Sequence, residues 1–239
     1  MMKRASVLSF VLLAVGACDS VPSTDVTTAE MGMWVFAEVG ADGQADVTTG
    51  LTTDNPALLE VTYVNLEAGD TLSARLGDGA PQMMSEWTAL GLYQYKTRFT
   101  AVAGGETLHV AFDRAAGQSA GGTQVTLPGA VAVTASAPSF AWAEGVTVSW
   151  TGGAGATSTQ LAVNSPDGCF DSFSRKVDFA AGQARLAATD FMIRAGAQTT
   201  CAVNVTVGAV ATGTADAAFG RGGNVTARQT RTLALTMTR

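Results

Sequence analysis

Gly145-Val-Thr-Val-Ser-Trp-Thr-Gly152 is the stretch from which the fold is read. Val146, Val148 and Trp150 fall on one side of an extended chain and Thr147, Ser149 and Thr151 on the other, the two-residue period of a half-buried strand. β-Branched and aromatic side chains suit that pleated surface, and the glycines at either end let the chain turn. Upstream, Thr107-Leu-His-Val-Ala-Phe112 repeats the pattern, with Leu108, Val110 and Phe112 facing away from Thr107, His109 and Ala111.

Outward from these segments the same reading predicts strands over 33–39, 45–51, 58–66, 71–76, 92–99, 106–113 and 123–127. Further strands are predicted over 131–136, 159–164, 174–179, 183–188, 201–207 and 225–237, with a short helical turn over 189–194. Gly40-Ala-Asp-Gly43, Asp54-Asn-Pro56, Glu67-Ala-Gly-Asp70 and Ala103-Gly-Gly105 punctuate them, supplying positive φ or the fixed φ of proline. The expected fold is all-β: two tandem Ig-like β-sandwich domains over 30–128 and 131–239, joined at Pro128-Gly129.

Two segments resist this pattern. Over 82–91, Met83, Met84, Trp87 and Leu90 have the spacing of a short helix or packed loop, read as a lid over the open end of the first sandwich. In 225–237, Gln229 and Arg231 share a face with Val225, Ala227, Leu233, Leu235 and Met237. Either a bulge resets the register or Arg231 lies at the rim and pairs with a carboxylate such as Asp216.

The amino terminus carries an address. Lys3 and Arg4 precede an apolar run over 5–17, broken only by Ser6 and Ser9, and small residues at Gly16 and Ala17 lead to Cys18. The run is too short to span a bilayer as a helix. Val15-Gly-Ala-Cys18 resembles the lipobox of bacterial lipoprotein precursors. That resemblance implies removal of a signal peptide, residues 1–17, and a diacylglyceryl thioether on Cys18, usually with an acylated amino terminus. The expected location is the bacterial cell envelope, on the outer membrane or the periplasmic face of the inner membrane. Asp19 resembles the inner-membrane retention signal of enterobacterial lipoproteins, and the leaflet stays open. Residues 18–29 read as the lipidated cysteine and a flexible tether, small, polar and without periodicity.

Removing residues 1–17 takes Lys3 and Arg4 and leaves 12 basic against 20 acidic side chains, a charge of −8. That balance argues against nucleic acid and against an electrostatic grip on anionic lipid. The membrane is the expected partner through acyl chains, of which stable anchoring needs two or three. Three of the fourteen cationic side chains are lysines. With Cys18 lipidated, Cys169 and Cys201 remain, an even pair in an oxidising setting and the natural partners of a disulfide. It would close a loop of roughly 33 residues, stabilising by about 3.7 kcal/mol on the chain-entropy estimate.

No catalytic motif emerges, no cofactor is implied, and the expectation is a protein that is not an enzyme. His109 faces the polar side of its strand without a nucleophile motif beside it. No Walker loop, dinucleotide fingerprint or zinc spacing is present. Asp42-Gly-Gln-Ala-Asp46 lacks the full acidic loop and distant glutamate of a calcium-binding EF-hand, and no metal site is assigned. Scattered carboxylates single out no glycosidase pair. Trp87, Tyr93 and Tyr95, with Trp34, form the candidate binding surface, an aromatic platform for sugar rings or a protein partner.

Leu66-Glu-Ala-Gly-Asp-Thr-Leu72, Leu92-Tyr-Gln-Tyr95, Val146-Thr-Val-Ser-Trp150, Thr200-Cys201, Gly213-Thr-Ala-Asp-Ala-Ala-Phe-Gly220 and Val225-Thr-Ala-Arg-Gln-Thr-Arg231 are structural motifs of turn glycines, a strand tryptophan and a cysteine. Together they resemble uncharacterised lipoproteins of high-G+C Gram-negative bacteria built as tandem Ig-like modules behind a lipobox. The resemblance implies a fold and an address, with no activity attached. Trp150 precedes both cysteines, so the disulfide of antibody-type domains does not carry over. The functional expectation is a membrane-anchored structural, adhesion or binding protein whose partner is an envelope protein or a glycan. The alternative is a carbohydrate-binding module or weak glycan hydrolase.

Overall fold

The computed structural model describes residues 20–54, 62–67, 69–89, 92–100 and 102–239. The signal segment, Cys18, Asp19 and part of the predicted 58–66 strand lie outside them. The described strands of the first half are β1 Ser20–Pro22, β2 Gly32–Val39, β3 Ala45–Thr52, β4 Tyr63–Asn65, β5 Thr71–Leu76, β6 Gln82–Met83, β7 Ser85–Ala89, β8 Leu92–Phe99, β9 Thr107–Asp113 and β10 Ala120–Thr126. Those of the second are β11 Val131–Ala135, β12 Ser139–Ala141, β13 Val146–Gly152, β14 Ser158–Asn164, β15 Phe173–Val177, β16 Gln183–Leu186, β17 Thr200–Thr212 and β18 Gly223–Thr238. Single 3₁₀ turns at Ser23–Asp25, Thr28–Glu30, Phe179–Ala181 and Ala188–Asp190 are the only helical elements among the described residues. The all-β expectation holds, while of the turn predicted over 189–194 only 189–190 is helical, within the 3₁₀ turn at Ala188–Asp190, and Ile193 instead bridges to Phe170.

One large sheet backs the whole molecule. Its strands run β7-β8-β3-β2-β18-β17-β14-β15, with β4 and β1 continuing beside β3 and β12 joining the far end of β18. A four-stranded sheet, β10-β9-β5-β6, and a three-stranded sheet, β11-β13-β16, complete two sandwiches. β17 and β18 pair antiparallel without a register shift from Thr200↔Thr238 to Thr212↔Thr226. Side chains alternate across a strand, so Val225, Ala227, Leu235 and Met237 of β18 all point to one face of the sheet. Val225 and Ala227 enter the first core and Leu235 and Met237 the second. Both small sheets therefore cover the same face, and the opposite face is continuous across the two sandwiches.

This corrects the expected domain boundary. The first core contains Ala211, Phe219, Val225 and Ala227, far beyond Pro128-Gly129. The cause lies in the parallel pairing of β18 with β2, from Gly223↔Met33 to Gln229↔Val39. The carboxy-terminal strand hydrogen-bonds β2 with its first half and, through its second, closes the other sandwich. Gln229 and Arg231 mark the seam between the cores, so no bulge is needed. Arg231 donates to the Thr230 carbonyl at 2.8 Å, and Asp216, its expected partner, instead accepts the backbone N–H groups of Ala218 and Gly122.

Two further expectations are corrected. The 82–91 segment is not a lid of helix or loop over its described part. Ser85 to Ala89 pair with β8, Met84 turns inward, and Met83 and Trp87 point out, the alternation of a strand that satisfies its backbone along the edge of β8. Leu90 and Gly91 lie outside the described residues. Nor do residues 20–29 form a flexible tether. β1 pairs in parallel with β4, and Ser23 and Thr28 are buried. The physical reason is Arg114, whose guanidinium donates to the carbonyls of Ser23 at 2.5 Å and Val26 at 2.8 Å. Its charge is met by Asp70 at 3.5 Å, the two side chains being 7% and 3% exposed. Thr28 also donates to the Gln118 carbonyl, and Ser23 accepts the Glu67 N–H at 3.0 Å. The segment is a strap bound to the first sandwich.

Candidate functional site

The open face of the large sheet gathers the side chains with binding chemistry. Along β2, Met33, Val35, Ala37 and Val39 are buried, which turns Trp34, Phe36 and Glu38 outward. Strand registers then set two rows across the sheet. The first runs Ser85, Lys96, Thr48, Phe36, Thr226, Thr212, and the second Arg98, Asp46, Glu38, Arg228, Val210.

Trp34 lies flat on this face. A methyl group at Gly50, its neighbour on β3, would sit 2.5 Å from the indole Nε1 and 2.7 and 2.8 Å from Cε2 and Cζ2. The ring therefore rests across the Gly50 α-carbon, and glycine is there because any side chain would push the indole away. Such a cross-strand pair covers the bare backbone of a strand glycine with an aromatic ring. Asn224 on β18 pairs with Trp34 from the other side and is exposed.

The charges in the second row are matched. Arg98 meets Asp46 at 2.5 Å, which lifts the Arg98 pKa, and Arg228 meets Glu38 at 2.9 Å. Arg228 also donates to Gln160 at 2.9 Å and stands 5.2 Å from the Phe36 ring centroid. Lys96 places its ammonium 3.7 Å from the Trp87 centroid. Both are cation–π contacts, and Arg228 makes its own in addition to the Glu38 pair.

The predicted trio of Trp87, Tyr93 and Tyr95 is not brought together, and this corrects the candidate surface. Trp87 is 46% exposed and faces Gln94, on the open side. Tyr95 is 2% exposed and points into the core, where its hydroxyl accepts the Leu66 N–H at 2.9 Å. Tyr93, two residues away on the same strand, shares the side of Tyr95. Phe36, Lys96 and Arg228 were not singled out from the sequence. The signal was in β2, whose alternate residues are apolar on one face and large and aromatic on the other.

Cys18 lies outside the described residues. Cys169 and Cys201 are joined as a disulfide, with Cα atoms 5.9 Å apart, tying the loop after β14 to the start of β17 within the second core. Asp167 braces that loop. Hydrogen bonds from the Ser165 hydroxyl, then from the backbone N–H groups of Ala202 and Cys169, hold its carboxyl below the ordinary range. His109 lies between Gln124 and Arg75 on the polar side of β9. Of the two calcium candidates, Asp42 accepts the Gln44 N–H and Asp46 is taken by Arg98.

The arrangement defines an all-β protein of two tandem sandwiches with one open aromatic and cationic face. No protein-family model matches the chain, and no curated protein matches it. Among solved structures it is similar to a cytokine receptor complex, at 12% identity, TM-score 0.30, over 85% of this chain and 95% of that one. It is also similar to the FN1-FN3 domains of chicken CNTN1, at 14% identity, TM-score 0.27, over 86% and 64%. A two-domain fibronectin type III segment of chicken tenascin gives 11% identity, TM-score 0.27, over 85% and 97%. The β-sandwich assignment stands on the registers and the two cores described above.

Proposed function

We propose that the chain is a lipid-anchored protein of the bacterial cell envelope with a structural, adhesive or binding role, not a catalytic one. The observation that carries the anchor is the Val15-Gly-Ala-Cys18 pattern behind Lys3, Arg4 and a short apolar run. The strap supports the role. β1 begins two residues after Cys18, so acyl chains on that sulfur would hold the folded body close against the lipid and not on a long leash. Metabolic labelling with an alkyne fatty acid, followed by membrane fractionation, tests the anchor. The wild-type chain is expected to take up label and sediment with membranes, and Cys18→Ala to lose both. A Cys18→Ala chain that still sediments in full would overturn the reading.

A carbohydrate-binding role is favoured by one observation, the Trp34 indole laid flat over Gly50. It moves the sugar platform from the β7–β8 hairpin to the middle of the sheet.

A further inference from the structure

We propose that the open face of the large sheet binds an acidic polysaccharide, with Trp34 under a sugar ring and Lys96 and Lys176 facing its carboxylates. This deepens the carbohydrate-binding reading above and is independent of the anchor, which the test below does not touch.

The charge distribution argues first. The chain carries a net charge of −6, yet the strands of this face present Lys96, Arg98, Lys176 and Arg228 against Asp46 and Glu38. Both carboxylates are matched by an arginine, at 2.5 and 2.9 Å. The acids gather at the β2–β3 hairpin, where Asp42 joins them, while the cations reach across to β15. Two of the three lysines in the chain are here, since Lys176 pairs with Gln160 and shares its outward side. Two lysines outside the ion pairs of an otherwise acidic protein give an anionic partner a place to land on that face.

The aromatic groups then define the chemistry of that partner. A sugar ring has an apolar face of C–H bonds and a polar rim. The first stacks on a flat indole and the second needs amide and hydroxyl partners, which Asn224 and Thr48 supply beside Trp34 and Phe36. From β8 to β15 there are six strand spacings, about 29 Å. The surface is open and crosses both sandwiches, so it suits a chain laid across the strands better than a small molecule in a cleft. Lysine suits a polymer whose carboxylates vary in position, being a point charge on a flexible stem.

Affinity electrophoresis and titration calorimetry on the full chain in mild detergent test this, with alginate as the polyuronate probe, hydroxyethylcellulose as the neutral one and duplex DNA as a polyanion without pyranose rings or carboxylates. Alginate is expected to bind, more weakly as salt is raised, and the other two to bind at least roughly tenfold less tightly. The Lys96→Gln, Lys176→Gln double variant is expected to bind alginate roughly tenfold more weakly. Gly50→Ala, which lifts the indole without touching a charge, is expected to weaken alginate binding while thermal unfolding stays cooperative. Failure of alginate to bind, equal binding of hydroxyethylcellulose or DNA, or unchanged affinity in both variants would each overturn the proposal.

Discussion

The hydroxyl of Tyr95 shows how much one side chain records of its surroundings. Burial pushes its pKa from 10 up to about 12, against the opposing pull of the Leu66 N–H. The folded protein thus keeps a proton that the unfolded chain gives up, so the stability tied to this group is intact below pH 10 and is lost between pH 10 and about 12. Urea titrations from about pH 9 to about pH 11.5 should show the wild-type midpoint falling more steeply than that of Tyr95→Phe. At neutral pH the substitution should cost about 1 kcal/mol, because the Leu66 N–H loses its acceptor. The sequence reading placed Tyr95 on the right strand but not on the right side of it. In 92–99 Tyr93, Tyr95, Thr97 and Phe99 alternate with Leu92, Gln94, Lys96 and Arg98, so periodicity identifies the strand and puts Tyr95 on its less polar side, which the aromatic-platform reading overrode. Phe99, which shares the side of Tyr95, is buried as well.

At the level of elements, the strap was the least legible segment. Its serines, threonines and aspartates have no period, and what orders it is an arginine some ninety residues away whose donors meet its carbonyls. Arg114→Lys should free the strap while keeping the charge, since an ammonium cannot span the Ser23 and Val26 carbonyls as a guanidinium does. Hydrogen exchange should then quicken over 20–30 and stay unchanged in β13 and β14. Asp70→Ala should be more severe, about 3–5 kcal/mol, because it leaves a buried guanidinium without its counter-charge. A variant whose strap stays as protected as in the wild type would show that the β1–β4 pairing holds it alone. β7 was misread for another reason. Met83, Met84, Trp87 and Leu90 match a helical spacing by composition, yet the unpaired edge of β8 needed hydrogen-bond partners, and tertiary context outweighed the local pattern.

Across the whole molecule, strand existence was readable and strand partnership was not. The second sandwich contains the stretch Gly145–Gly152 and its neighbours much as their alternation implied, while the first borrows a strand from the other end of the chain. Pairing of β18 with β2 spans about 190 residues, and no local feature of either strand announces it. A chain ending at residue 128 lacks Phe219, Val225 and Ala227 from its core and leaves β2 with an open edge. It should show no cooperative thermal transition by circular dichroism, whereas the full chain should; a cooperative melt of the fragment would show that the borrowed strand is dispensable. Because β18 is 16 residues long and unbroken, about 54 Å end to end, it also has a mechanical meaning. Traction applied between the strap and the far pole would run along its axis and shear the bonds to β2 and β17 together instead of peeling them singly, so the molecule is built to resist stretching.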